Sequence, residues 1–144
     1  NGYLTVQSST FNNRGNYGSI DNSATAYISD SIFMSDAGKT GFSSTGSWTS
    51  GGYNIFNDSS FPGTLATGDL VNTDPLLGNL ANYGGPTRTH SLLPGSPAIN
   101  HRPGRCQIVM LFIEKDQRHQ PRADGRCDTG AYELGSFYLP MIIK

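Results

Sequence analysis

The sequence predicts an all-β protein built as a parallel β-helix, with coils of about 22 residues and a loop-rich C-terminal cap. Three observations carry this. Leu4-Thr5-Val6-Gln7-Ser8-Ser9-Thr10-Phe11 recurs as Ala26-Tyr27-Ile28-Ser29-Asp30-Ser31-Ile32-Phe33, 22 residues on at every matched position. Each copy alternates apolar and polar residues, which is the period of a strand. The segments between copies are rich in Gly, Asn and Ser, residues that supply the left-handed positions of tight corners. A repeat of this length buries its apolar face only by stacking on its neighbours.

The elements follow in order. Leu4, Val6 and Ile28 point inward, and Thr5, Gln7, Tyr27 and Ser29 outward. A looser third copy holds Trp48, Ser50, Tyr53 and Ile55, and a fourth holds Leu70 and Leu77. The expected core stacks are Leu4 on Ala26 on Trp48, and Phe11 on Phe33 on Ile55. An antiparallel β-sandwich is the competing fold, and the constant offset argues against it. No stretch of ten residues carries helical apolar spacing with caps. The chain divides into coils over 1–78, a cap over 79–136 and an apolar tail over 137–144. In the cap, Asp74-Pro75, Gly84-Gly85-Pro86 and Pro94-Gly95-Ser96-Pro97 are turn formers. Leu76, Leu77, Leu80, Leu92, Leu93, Ala98 and Ile99 between them supply apolar surface for covering the last coil.

Composition narrows the function. Gly, Ser, Thr and Asn make 57 of the 144 residues, and lysine appears three times. That suits an extracellular or cell-surface bacterial β-protein. The net charge of −1 gives no global steering toward nucleic acid or membranes. Residues 101–126 hold six of the ten Lys/Arg, which reads as a solvated loop before a polyanion site. No run of 18 apolar residues is present, so no membrane-spanning helix is expected. The first residues fall inside a coil. The expectation is a piece of a longer solenoid, or an end covered by another molecule.

Candidate chemistry is sparse. No GxSxG, HExxH, GxGxxG or P-loop pattern occurs. Asp21, Asp30, Asp36, Asp58, Asp69 and Asp74 are single acids in turns, and on the 22-residue phase Asp30 neighbours Ser8 and Gly52, so no acidic ladder forms. His90 reads as structural. No catalytic residue, metal or cofactor is expected. Cys106 and Cys127 are favoured as a disulfide. The alternative is a zinc site, but His101 and His119 lack the short spacings zinc sites use. Asn57-Asp58-Ser59 matches a glycosylation sequon and is read as chance. Tyr3, Tyr17, Tyr27, Phe42, Trp48 and Tyr53 are available for stacking on sugars.

From residue 51 the order of motifs is specific. Gly51-Gly52-Tyr53-Asn54-Ile55 leads to Gly68-Asp69-Leu70-Val71-Asn72-Thr73-Asp74-Pro75-Leu76-Leu77-Gly78 and to Thr89-His90-Ser91-Leu92-Leu93-Pro94-Gly95-Ser96-Pro97-Ala98-Ile99. Asp116-Gln117-Arg118, Pro121-Arg122 and Cys127-Asp128-Thr129-Gly130-Ala131-Tyr132-Glu133 close it. This resembles the C-terminal part of bacterial surface proteins with a choice-of-anchor Q domain, which follows right-handed parallel β-helix repeats in adhesin-like proteins. The resemblance implies a right-handed helix, surface exposure, paired cysteines around the Asp-Gln-Arg motif and no established enzyme activity. Two departures stand out: the apolar stretch over 107–115 and the short ending over 137–144.

The function expected is a non-enzymatic extracellular structural protein, an adhesin stalk or a subunit of a head-to-tail filament. A carbohydrate-binding or polysaccharide-processing β-helix is the alternative, with a glycan as candidate ligand. Ile108, Val109, Leu111, Phe112 and Ile113 form one strand-prone apolar segment. Tyr138, Leu139, Met141, Ile142 and Ile143 form another, with Pro140 suiting it to a sheet edge. Left exposed, both are aggregation hazards. They are expected to cover the open first coil of a neighbour at Leu4 and Val6 by β-augmentation. The rest of a longer β-helix chain is the other expected partner.

Overall fold

The computed structural model describes residues 2–13, 20–36, 41–104, 106–108, 111–112, 114–122 and 125–135. Among these the protein is all-β, with no helix. Nothing long and apolar enough to cross a membrane as a helix occurs among them.

Three parallel ladders organise residues 3–56. β1 (Tyr3–Gln7), β4 (Thr25–Ser29) and β7 (Ser47–Ser50) form one sheet. β2 (Thr10–Asn13), β5 (Ile32–Ser35) and β8 (Ile55–Phe56) form the second, and β3 (Ile20–Asn22) with β6 (Phe42–Ser44) the third. The register is the one the repeat implies: Leu4 pairs with Ala26 and Ala26 with Trp48, Phe11 with Phe33, and Ile20 with Phe42. Each layer thus visits the sheets in turn, and equivalent residues stack along the ladders.

The corners repeat as well. Ser8, Asp30 and Gly52 all take left-handed φ, at 44°, 51° and 94°. Asp tolerates that conformation better than most residues, and Gly adopts it freely. Backbone bonds join the corners from layer to layer: Ser8 N donates to Ser29 O, and Asp30 N to Gly52 O. Beside them runs a side-chain ladder in which Ser9 N donates to Ser31 Oγ and Ser31 N to Asn54 Oδ1. The buried backbone of the corner is satisfied by the same residue types that mark the repeat.

The third layer departs from the period. Tyr53, itself at φ 56°, adds one residue to the corner. Ile32 therefore pairs with Ile55 and Phe33 with Phe56. This corrects the expected stack: the residue on Phe33 is Phe56, not Ile55. The rings of Phe11, Phe33 and Phe56 stack nearly parallel, with centroids 5.3 and 5.4 Å apart. The third layer is also cut short. Its chain returns to bridge Thr64 to Thr49 and Leu70 to Ile55, each 15 residues on. Of the expected fourth copy, Leu70 therefore lies on the stack. Leu77 instead begins an antiparallel hairpin, β9 (Leu77–Ala81) with β10 (Thr89–Leu92).

Two cores result. Between the sheets lie Val6, Ala26, Ile28, Phe33, Phe42, Trp48, Phe56 and Phe61, with Phe11 half-buried against them. On the opposite face of the second sheet, Ile32 and Ile55 pack with Leu92 and Ala98. Ile55 is thus buried, but in this second core. Leu4 is partly exposed on the outermost strand, while Val6 is covered by its own chain.

The remaining strands are short antiparallel pairs. β11 (Arg102–Pro103) pairs with β14 (Arg126–Cys127), and β12 (Gln107–Ile108) with β13 (Leu111–Phe112). The first apolar segment therefore folds back on itself, Ile108 opposite Leu111. Val109, Ile113, Tyr17, Tyr138, Leu139, Met141, Ile142 and Ile143 lie outside the described residues.

Candidate functional site

The chemically richest region is the seam where the C-terminal residues meet the corners of the stack. Gly130 N donates to Asp30 O, Ala131 N to Thr10 Oγ1, and Thr129 Oγ1 to Tyr53 O. One short run thereby touches all three layers. Gly130 sits at φ 99°, and a β-carbon there would overlap Thr10 Oγ1 and the Ile32 side chain. Only glycine lets the two backbones approach so closely.

Asp30 is fully buried. Arg102 Nη1 lies 2.8 Å from its Oδ1, and the guanidinium also rests over the Tyr53 ring, 5.0 Å from the centroid. Burial pushes the Asp30 carboxyl above its ordinary value, and the Arg102 hydrogen bond and charge oppose that rise without cancelling it. His101 faces the same corner. The Thr129 hydroxyl donates to Tyr53 O, so it accepts from His101 Nδ1 at 2.9 Å. Burial holds the His101 pKa below its usual value; the Gly68 carbonyl and the Asp30 and Asp69 charges favour the cation but are outweighed.

Behind this lies a second charged cluster. Arg122 is buried and donates to Glu133 Oε2 at 2.8 Å, to Asp128 O and to Gly130 O. Asp128 takes the amides of Asn100 and Leu134. Asp116 accepts from Arg118 Nε and from the amides of Arg118, Gln120 and Glu133. Burial alone would raise the Asp116 pKa; the bonds from Glu133, Arg118 and Gln120 outweigh it and hold it low. Arg118 also stacks on Tyr132, 3.6 Å from the ring centroid. These ion pairs are largely buried. Such clusters fix one arrangement of chain against chain, since removing a partner strands a buried charge.

Cys106 and Cys127 form a disulfide, and both sulfurs are buried beside Arg122 Nη1. Joined sulfurs carry no thiolate for zinc, although Glu133 lies within 4.8 Å of them. His90 is held at both nitrogens, Nδ1 2.7 Å from Gly78 O and Nε2 3.2 Å from Asn12 Nδ2, and so braces the hairpin against β2. Asn57 of the sequon is engaged at both ends of its amide by Ser35 N and Ser35 O. Asp58 beside it is kept below its ordinary pKa: burial pushes upward, and the hydroxyls of Ser35 and Ser60 with the Ser60 amide prevail.

Of the aromatic residues available for sugar stacking, Phe42 and Trp48 are in the inner core and Tyr53 lies under Arg102 and beside His101. Tyr3 and Tyr27 remain on the outer face of the first sheet. No family model, curated protein or solved structure matches this chain.

Proposed function

We propose that this chain is a non-enzymatic extracellular structural module, a right-handed parallel β-helix of the choice-of-anchor Q kind that associates end to end. The observation that supports it is the set of three parallel ladders that keep a 22-residue register, save for the one residue added at Tyr53 between β5 and β8. In such a stack each layer is a template for the next. Among the described residues β1, β2 and β3 are each paired on one side only. A strand arriving from a second copy pairs with β1 as β4 does, and this is β-augmentation. The segment 137–144 supplies that strand. The contact is heterologous, so it propagates into a filament unless the rotation closes. The preceding part of a longer β-helix would occupy the same edge in the same way. The buried disulfide supports an oxidising, extracellular setting.

The test is light scattering and electron microscopy of the intact chain and of a variant lacking 137–144. Long assemblies from the intact chain and a folded monomer from the variant are expected. An intact chain that stays monomeric at high concentration, or a truncated one that polymerises normally, ends the proposal.

A further inference from the structure

The strands of the β1–β4–β7 sheet contribute no charged side chain to its outer face, and the Asp69 carboxylate near its β7 end is taken up by Ser50 Oγ and the Ala66 amide. The strands read Tyr-Leu-Thr-Val-Gln, Thr-Ala-Tyr-Ile-Ser and Ser-Trp-Thr-Ser, without one acid, lysine, arginine or histidine. Charged residues make 15% of the chain, and the seam on the second sheet concentrates them. The outward positions are Tyr3, Thr5, Thr25, Tyr27, Ser47 and Thr49, in rows set by the register: Tyr3 beside Thr25 beside Ser47, and Thr5 beside Tyr27 beside Thr49. Thr64 continues the second row through its bridge to Thr49.

The two tyrosines differ in setting. Tyr3 is 83% exposed, an unusual position for a large ring. Tyr27 is half-buried because its ring lies against Gly51, where any β-carbon would overlap the phenol end. A cleft of about 310 Å³ opens beside Tyr3 and Thr25, and another of about 420 Å³ beside Thr49 and Thr64. The face between them spans four rungs, or about 14 Å at the ordinary strand spacing.

We propose that this face binds a neutral polysaccharide, laid across the strands from one cleft to the other. Sugar rings present C–H faces that pack on phenol rings, and hydroxyls that both donate and accept as Thr and Ser hydroxyls do. A ligand without charge leaves no ion to desolvate, and strands without charged side chains offer nothing to an acidic glycan. This site uses the outward side chains of the sheet, whereas end-to-end assembly uses the backbone groups of the β1 edge, so the two are tested separately.

The test is affinity electrophoresis in gels containing a soluble mixed-linkage β-glucan, a galactomannan or polygalacturonate. Retardation by at least one neutral polymer and none by polygalacturonate is expected. The double variant Tyr3→Ala, Thr49→Lys should lose retention by roughly tenfold or more. Both positions are exposed, so its thermal unfolding should match that of the parent. No retardation in either neutral gel, equal retardation by polygalacturonate, or undiminished retention of the double variant overturns the proposal.

Discussion

Arg102 Nη1 lies 2.8 and 2.9 Å from the two carboxylate oxygens of Asp30, across 72 residues of sequence. The pair locks the C-terminal segment to the second corner of the stack. Replacing Arg102 with Met should cost about 3 kcal/mol, at the lower end for a broken buried pair because its side chain is one-fifth exposed. The double variant Asp30→Asn, Arg102→Met should recover part of that loss, since no uncompensated carboxylate remains. Urea unfolding of the parent, of Arg102→Met, of Asp30→Asn and of the double variant checks this. Additive losses would show that the residues stabilise separately.

The seam makes stability pH-dependent through His101. Burial lowers its folded pKa below the unfolded value of 6.5. The folded protein then binds fewer protons, so its contribution is full above about pH 6.5 and is lost as pH falls through the folded pKa. Asp30 has the opposite sign: its raised pKa adds stability at low pH that is lost as pH rises through the folded value. Asp58 and Asp116, both lowered, lose theirs only as pH falls below about 4. The thermal midpoint of the parent should therefore fall more steeply between pH 7 and pH 5 than that of His101→Asn. An unchanged slope would assign it to another group.

Much of the stack was legible in the sequence because each layer repeats both its alternation and its corner. Val6 over Ile28, and Ser8, Asp30 and Gly52 at one phase, follow from the offset alone. The third layer was misread because Gly51-Gly52 hides which residue takes the extra left-handed position, and Tyr53 does. A signal was present: Ile32-Phe33 and Ile55-Phe56 are the same pair, and aligning them requires an offset of 23. Adjacent Ile and Phe also break the alternation, which marks a strand covered on both faces. The second core was therefore readable, while the residues opposite it were not. Nothing in the spacing ties Arg102 to Asp30 or Gly130 to Thr10, because those contacts depend on how an irregular segment returns to the stack. The disulfide followed from composition; the burial of its surrounding charges did not.

Gly130 tests that return path. Gly130→Ala places a β-carbon at φ 99° against Ile32 and Thr10 Oγ1, whereas Gly95→Ala meets the same left-handed strain, at φ 84°, in open space. Both should destabilise by about 1 kcal/mol or more, and Gly130→Ala by clearly the larger amount. Chemical denaturation of the two variants gives the difference. Equal losses would mean that the contact yields without cost.

Ile32 and Phe33 are neighbours in β5 that serve different cores, and this allows the two to be separated. Phe33 is sandwiched between Phe11 and Phe56 and tilts against Phe42. Ile32 faces away, toward Leu92 and Ala98. Either residue changed to Ala should cost several kcal/mol, roughly 3–5 for Phe33 and 2–5 for Ile32. The losses should appear in different amides. Thr129 N is bonded to Ala98 O and Gly130 N to Asp30 O, so Ile32→Ala should speed hydrogen exchange there before it touches the ladders. Phe33→Ala should instead speed exchange at Asn57 N, which is bonded to Phe33 O, and along β2 and β5. Native-state exchange measured amide by amide separates the cases. Identical exchange patterns in the two variants would mean that the flank and the stack unfold as one unit, and that the two cores are energetically a single one.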